Sequence, residues 1–185
     1  MRKHSQQTHF ERGVTLLELM IVVVVIGVLA SIAIPGYNKW KCKARAGEVS
    51  IQFKTLHQGA QFYYFQESAE GSHFPNESSP ARKSSVSVQP SRSPCAGGLV
   101  PYAKHEANWD IQPWLSLKFS INQAHYFQYV YEANNKPGPG RPSFTLTAQT
   151  DRDCDGVFAK YKMTTKRIVG GALERGGIIK ENECE

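Results

Sequence analysis

The feature that most constrains this chain is an apolar run from Val14 to Ile34 whose single charged residue is Glu18. An α-helix rises about 1.5 Å per residue, so a helix over this run would be about 32 Å long. The hydrocarbon core of a bilayer is about 30 Å thick, and the run therefore predicts a membrane-spanning helix. A carboxylate at the centre of such a helix costs about 2.5–3.5 kcal/mol and usually marks a function.

The residues at the start of this run resemble the N-terminus of type IV pilins and of the related pseudopilins of type II secretion systems. The residues that match are Gly13, Val14, Thr15-Leu16-Leu17-Glu18-Leu19-Met20-Ile21, Gly27, Ala30 and Ala33-Ile34-Pro35. The resemblance implies that residues 1–13 are a leader peptide and that a prepilin peptidase cleaves the bond between Gly13 and Val14. It also implies methylation of the new α-amine of Val14, a position at which the family most often carries Phe.

Glu18 lies four residues after Val14, so its carboxylate and the new amine share one face of a helix. The two charges can pair within one subunit, or the carboxylate can pair with the amine of a neighbouring subunit. An unpaired charge in a low-dielectric bundle costs several kcal/mol, so we interpret Glu18 as a residue that sets the register between subunits. The resemblance assigns Glu18 and Thr15 to filament assembly. The alternative is a carboxylate favoured only by the dipole of the helix N-terminus.

The helical pattern continues beyond the apolar run. Apolar residues recur there at spacings of three and four: Ala46, Val49, Phe53, Leu56, Ala60 and Tyr63. This spacing predicts an amphipathic helix that buries one stripe against a folded head. Pro35 lacks a backbone donor and predicts a kink, and the resemblance points to Gly27–Pro35 as the segment that loses helicity when subunits pack.

From residue 114 onward, apolar and polar residues alternate, which is typical of half-buried strands. Four strands are predicted: Leu115–Ile121, Phe127–Ala133, Phe144–Ala148 and Val157–Met163. Short, turn-rich links between them favour antiparallel pairing. The predicted fold class is α+β, with a long N-terminal helix, hydrophobic in its first half and amphipathic in its second, packed on an antiparallel sheet of about four strands, as in the pilin fold.

Five segments result from these patterns. They are a leader (1–13), a membrane and filament-core helix (14–35), an amphipathic helix (36–65), a Ser- and Pro-rich loop (66–113), and the sheet and tail of the head (114–185).

The four cysteines are Cys42, Cys95, Cys154 and Cys184, and no pair has the C-x-x-C spacing of a zinc or redox site. If this part of the chain is exported, one or two disulfides are expected. Three outcomes stay open. A Cys154–Cys184 bond would pin the C-terminal tail, as in many pilins. A Cys95–Cys154 bond is its rival, and Cys42, on the helix, is the candidate for a free thiol.

Residues 151–156 read D-x-D-x-D-G, the start of a calcium-binding loop that would use Asp151, Asp153 and Asp155. The twelfth position of such a loop carries a bidentate Glu, whereas this chain has Lys162. A hairpin turn is the simpler interpretation, because Asp155-Gly156 tolerates a positive φ. We therefore expect no metal, with these three aspartates as a weak candidate site.

No catalytic constellation is apparent. The six histidines share no ligand spacing, and neither a nucleophile motif nor a Gly-rich phosphate loop is present. We therefore expect no enzymatic activity and no cofactor. The net charge of +6 is mild.

Two groups of cations have more than one interpretation. The first follows the apolar run and either contacts lipid phosphates or acidic neighbours in a filament, or is a solvated face: Lys39, Lys41, Lys43 and Arg45. The second lies near Tyr161 and is explained by a solvated strand face, so nucleic-acid binding is not expected: Lys160, Lys162, Lys166 and Arg167.

The predicted function is that of a structural subunit, major or minor, of a type IV pilus. The expected partners are the prepilin peptidase/methyltransferase, other pilin subunits and an inner-membrane assembly platform. We expect one pass through the bacterial inner membrane with the head in the periplasm, followed by an extracellular pilus. Two alternatives stay open: a pseudopilin of a type II secretion system, and a secreted protein whose ordinary signal peptide ends at Ser31-Ile32-Ala33.

Overall fold

The structure is a computed structural model that describes residues 14–66, 73–75, 85–93, 95, 101–103, 107–136, 142–152, 154–167 and 173–183. These residues form one α-helix, α1 (Leu16–Gln66), and six β-strands. The strands are β1 (Ser85–Gln89), β2 (Gln128–Asn134), β3 (Ser143–Thr150), β4 (Ala159–Arg167), β5 (Leu173–Arg175) and β6 (Ile179–Glu181). Two compact units divide between Lys41 and Cys42, and each is described by itself.

α1 includes both the apolar run and the amphipathic stretch, and it is continuous through Gly27 and Pro35. From Cys42 onward the helix buries the predicted stripe, with less than 2% exposure at Val49, Phe53, Leu56 and Ala60. The stripe ends on Tyr64, which is buried, rather than on Tyr63, which is half-buried. Residues three and four positions after Ala60 both lie on its face of the helix, so either Tyr63 or Tyr64 can continue the stripe.

The sheet is antiparallel throughout, with the strand order β1-β2-β3-β4-β5. β6 also pairs with β4, alongside Lys160 to Lys162, while β5 pairs further along at Thr165 to Arg167. Inward-facing residues of β2, β3 and β4 cover the stripe on α1, as the alternation predicts. The α+β fold class, a long N-terminal helix on an antiparallel sheet, is therefore confirmed, and the described residues form six strands of this sheet where about four are predicted.

The predicted strand at Leu115–Ile121 is wrong. The backbone there forms consecutive turns, in which Leu115 N–H donates to the carbonyl of Ile111 and Leu117 N–H donates to that of Pro113, each at 3.0 Å. Trp114 and Leu117 are buried while Leu115 is 55% exposed. The buried pair is three residues apart, a helical spacing that the alternation of apolar residues concealed.

β1 is a strand inside the segment predicted to be a Ser- and Pro-rich loop. Its burial pattern is inverted, because Ser87 and Gln89 face the core and Val86 is exposed. The polar groups are satisfied: Trp114 Nε1 donates to Ser87 Oγ at 2.9 Å, and Asn108 N donates to Gln89 Oε1 at 3.1 Å. A strand with polar residues inward lacks the apolar alternation by which strands are predicted.

Polar contacts also join α1 to the sheet. Tyr129 Oη on β2 donates to Glu48 Oε1 at 2.8 Å, and burial raises the pKa of Glu48 although this hydrogen bond opposes the shift. Further along α1, His57 Nδ1 lies 3.2 Å from Thr165 Oγ1 on β4, and the His57 ring lies against Phe144. The helix is thus held on the sheet by one part-buried and one buried polar pair as well as by its apolar stripe.

Cys95 and Cys154 form a disulfide. This is one of the two pairings that the sequence left open, the other being a Cys154–Cys184 bond. The Cys95–Cys154 bond excludes a Cys154–Cys184 bond in the same molecule. Cys42 is buried and also disulfide-bonded, so its interpretation as a free thiol is wrong. Cys184 lies outside the described residues.

We predict that Cys42 is bonded to Cys184, the one cysteine that remains in the sequence. The pKa of Glu183 is lowered, first by the hydrogen bond from Lys180 and further by the charge of Lys43, and Glu183 and Lys43 adjoin Cys184 and Cys42 in the sequence. Mass spectrometry of a digest made without reduction should yield a linked Cys42–Cys184 peptide that disappears on reduction. Recovery of either cysteine as an alkylated free thiol would contradict the prediction.

Candidate functional site

The N-terminus of α1 is capped by Thr15. Its Oγ1 accepts a hydrogen bond from Glu18 N at 3.2 Å, and its carbonyl accepts one from Leu19 N at 3.2 Å. Thr15-Leu16-Leu17-Glu18 therefore has the T-x-x-E sequence of a capping box, with Glu18 at the third helical position. Thr15 was expected to act in assembly, and this local role was missed although its motif is visible in the sequence.

Glu18 is also placed where a helix dipole favours a carboxylate. Val14 immediately precedes the cap and is 73% exposed, so an amine at Val14 would lie beside the first turn of α1. Gly13 lies outside the described residues. The geometry is thus compatible both with a charge pair between Val14 and Glu18 and with simple capping of the helix.

The apolar side chains of the first five turns of α1 are exposed. Between Val14 and Ile34 the large hydrophobic residues are 51–76% exposed. α1 is the helix, among the described residues, that is long and apolar enough to cross a membrane, and none of its apolar window is buried in the structure. Such a surface requires lipid or other apolar helices around it.

Gly27 and Pro35 both lie within this helix, and the backbone between them is helical. Ser31 Oγ donates to the carbonyl of Val28 at 2.7 Å, a local side-chain bond of the kind that often bends helices. A loss of helicity on packing, which the resemblance implies for this segment, stays a prediction about an assembled state.

The D-x-D-x-D-G segment forms a turn between β3 and β4. Asp151 is buried, and its two carboxylate oxygens accept hydrogen bonds from Cys154 N at 2.8 Å and Gly156 N at 3.1 Å. Asp155 Oδ1 accepts a hydrogen bond from Val157 N at 2.7 Å. Asp153 lies outside the described residues, and the described ones include no group of three or more ligands that could hold a metal ion. These hydrogen bonds explain the turn without a metal.

Two of the four cations of β4 are paired with, or registered opposite, an acidic residue of a neighbouring strand. Lys166 Nζ lies 3.3 Å from Glu174 Oε2 on β5, and Lys160 is registered opposite Glu181 on β6. Exposed ion pairs of this kind contribute about 0–1 kcal/mol to stability, but they also reduce the positive field of the surface.

His57 should make the head less stable in mild acid. Burial lowers the pKa of His57, and nearby Arg175 lowers it further. In the unfolded chain the imidazole takes up a proton near its ordinary pKa of about 6.5. The contribution of His57 to stability is therefore full above that pH and is lost as the pH falls towards the lowered pKa.

The melting temperature of the wild type should thus fall more steeply than that of His57→Gln between about pH 7 and about pH 5. Glu48 has a raised pKa and stabilises the fold at acid pH instead, but it is present in both proteins, so its effect cancels in the comparison. Melting curves that shift in parallel over this range would contradict the prediction.

Comparison with known proteins points to one family. The prokaryotic N-terminal methylation motif matches residues 9–34. The type IV major pilin protein PilA of Myxococcus xanthus is 46% identical over 66 residues, which are 36% of this chain and 30% of PilA. The type IV major fimbrial protein FimA of Dichelobacter nodosus is 53% identical over 38 residues, which are 20% of this chain and 24% of FimA.

The type IV major pilin protein PilE1 of Neisseria gonorrhoeae is 33% identical over 54 residues, 29% of this chain and 33% of PilE1. The matches thus cover a quarter to a third of the length of these relatives. No solved structure matches the chain.

The chain thus combines a segment that matches the N-terminal methylation motif with an α+β, pilin-like fold, in which a long N-terminal helix packs on an antiparallel sheet. Over the matched segments, the chain is thus similar to type IV pilin and fimbrial proteins. These relatives are structural subunits and not enzymes.

Proposed function

We propose that this chain is a structural subunit of a type IV pilus that is made as a precursor, cleaved after Gly13, methylated on the amine of Val14 and assembled through α1. The observation that carries the proposal is the exposed apolar surface from Val14 to Ile34, within the segment that matches the N-terminal methylation motif. This surface has the length of a bilayer span. The same surface can pack against equivalent helices of other pilin subunits in a filament.

The location follows from the same features. α1 would cross the inner membrane once before assembly, with the head in the periplasm, and the subunit would then enter an extracellular pilus. The Cys95–Cys154 disulfide supports an oxidising compartment for the head. The proposed partners are the prepilin peptidase/methyltransferase, an inner-membrane assembly platform and other pilin subunits.

The names of the relatives favour a pilus over the pseudopilus of a type II secretion system, because they are pilin and fimbrial proteins. Deletion of the gene should reduce surface pili or twitching motility and leave exoprotein secretion unchanged. The opposite result would identify a pseudopilin.

The processing step is tested directly by mass spectrometry of the mature N-terminus. The expected N-terminal peptide begins at Val14 and carries one methyl group on its amine. A peptide that begins at Ile34 would identify an ordinary signal peptide and overturn the proposal. A variant in which Gly13 is replaced by a bulky residue should remain uncleaved, because the peptidase must accommodate the residue before the cut.

A further inference from the structure

Two aromatic rings and two lysines follow the apolar run within about two helical turns. Tyr37 and Trp40 are 60% and 65% exposed, and their ring centroids lie 6.2 Å apart in a stacked arrangement. Lys39 and Lys41 are exposed, and neither forms an ion pair with any described residue. We call these four residues the interfacial band.

Two cations that follow the interfacial band on α1, Lys43 and Arg45, interact with residues of the head. The Arg45 guanidinium lies 4.0 Å from the centroid of the Tyr126 ring. Glu183, whose pKa is lowered first by its hydrogen bond from Lys180, also interacts with the charge of Lys43. The four cations that were predicted as one group therefore differ in their surroundings. Lys43 and Arg45 interact with the head, whereas Lys39 and Lys41 are free to bind another partner.

If the apolar run spans the hydrocarbon core, the interfacial band falls at the depth of a lipid headgroup layer. At about 1.5 Å per residue, Tyr37 is about 4.5 Å and Trp40 about 9 Å beyond Ile34 along the helix axis. Headgroups add about 5–7 Å to each side of a hydrocarbon core about 30 Å thick. Helical side chains also point back towards the N-terminus, which brings the indole of Trp40 into the same layer.

The band is not confined to one face of the helix. At about 100° per residue, Tyr37, Trp40 and Lys41 fall within one face, and Lys39 falls on the opposite side. A filament neighbour or a docking protein would contact one face, whereas lipids contact all sides of a membrane helix. Aromatic side chains with an apolar body and a polar tip prefer the interface, and lysines extend their ammonium groups to the phosphates.

We propose that the interfacial band binds the headgroups of anionic phospholipids on the far side of the membrane from the leader, and so fixes the depth of α1 before assembly. This inference rests on the proposed membrane anchoring of the subunit. It also explains why Lys39 and Lys41 lie on the periplasmic side of the proposed span, although Lys and Arg usually flank membrane helices on the cytoplasmic side. Each lysine near an anionic surface contributes about a fivefold preference, and salt reduces it.

The depth of Trp40 is measured with the full mature chain in phosphatidylcholine vesicles that contain phosphatidylglycerol. Subtracting the fluorescence of Trp40→Phe removes the signal of Trp109 and Trp114, which are buried in the head. A nitroxide at the headgroup should quench Trp40 at least about twofold more than a nitroxide at mid-chain. Stronger quenching of Trp40 by the mid-chain nitroxide would overturn the proposal. Quenching of Trp40 by aqueous iodide that is the same with and without vesicles would also overturn it.

The lipid preference is measured with brominated phosphatidylglycerol against brominated phosphatidylcholine. The ratio of the two quenching efficiencies at Trp40 should exceed one and should fall to about one in Lys39→Gln/Lys41→Gln and in high salt. Lys54→Gln, an exposed lysine further along α1, is the matched control and should leave the ratio unchanged. An unchanged ratio in the double variant, with lost filament assembly, would assign the lysines to a neighbouring subunit and contradict the lipid site.

Extraction with alkaline carbonate separates the two proposals. A chain that resists extraction but shows no headgroup quenching of Trp40 refutes the interfacial band and leaves the membrane anchor intact. A chain that carbonate removes from the vesicles refutes the anchor and the band together.

Discussion

Replacing Glu18 by Ala or Gln is expected to lower incorporation into filaments about 100-fold, while cleavage after Gly13 continues. In the proposed filament the Glu18 carboxylate meets the α-amine of Val14, and removing one partner of such a buried pair costs about 3–5 kcal/mol. Each 1.4 kcal/mol is about a factor of ten, so the lower end of this range gives the expected loss. Quantitative immunoblots of sheared filaments against membrane-held subunit measure the ratio.

The capping geometry supplies the controls for this experiment. Gln at the third helical position preserves a capping box with Thr15 but removes the charge. Thr15→Ala removes the cap, at about 1 kcal/mol, and keeps the carboxylate. If the charge matters, Glu18→Gln fails and Thr15→Ala assembles. Normal filaments from Glu18→Gln together with failure of Thr15→Ala would show that capping, not charge pairing, is the function of Glu18.

Gly59→Ala is expected to lower the free energy of unfolding of the head by about 1–3 kcal/mol, which is the usual cost of overpacking. A Cβ atom at Gly59 would overlap the carbonyl oxygen of Leu117 and lie 3.0 Å from its carbonyl carbon. These are backbone atoms of the turn segment that also buries Trp114, so they cannot move aside as the end of a flexible side chain can. α1 must therefore shift away from this segment.

Gly47→Ala is the matched control, because Gly47 lies on the same helix and no atom comes within 4 Å of an added Cβ. Alanine is favoured over glycine in a helix by up to about 1 kcal/mol, so this variant should be at least as stable as the wild type. Thermal unfolding of the detergent-solubilised chains, followed by circular dichroism, measures both. If Gly59→Ala is as stable as Gly47→Ala, the close approach of α1 to Leu117 does not occur.

The parts of the fold that were predicted correctly share one property: each depends on a pattern of residues that are close together in the chain. The stripe from Val49 to Ala60 repeats at the helical period, and the strands β2, β3 and β4 alternate at period two. A local period reports which face of an element is buried. The helix and the three central strands are therefore predictable from the amino-acid sequence alone.

The parts that were predicted wrongly depend on partners far along the chain. β1 buries Ser87 and Gln89, which is acceptable because Trp114 and Asn108 complete their hydrogen bonds. The residues of β1 alone do not indicate that Trp114 and Asn108 are their hydrogen-bond partners. At Leu115–Ile121 two periods fit the same residues, and the choice between strand and turns depended on the packing of Trp114 and Leu117 against the core.

The cysteines show the same limit at the level of covalent structure. Four cysteines allow three connectivities, and their spacing does not choose among them. The bond between Cys95 and Cys154 depends on how a loop residue approaches the β3–β4 turn. The involvement of Cys42 depends on how the amphipathic part of α1 lies within the head.

The sequence by itself determined the apolar span, the acid at Glu18, the likeness of its N-terminus to that of pilins and the helix-and-sheet class, because each is a pattern over neighbouring residues. Only the tertiary structure decided the position of β1, the pairing of Cys95 with Cys154 and the contact of Gly59 with Leu117. Each of these features is a contact between segments that are far apart in the chain. Whether such a contact is favourable depends on the distance between the segments in the folded protein, which a local sequence pattern does not encode.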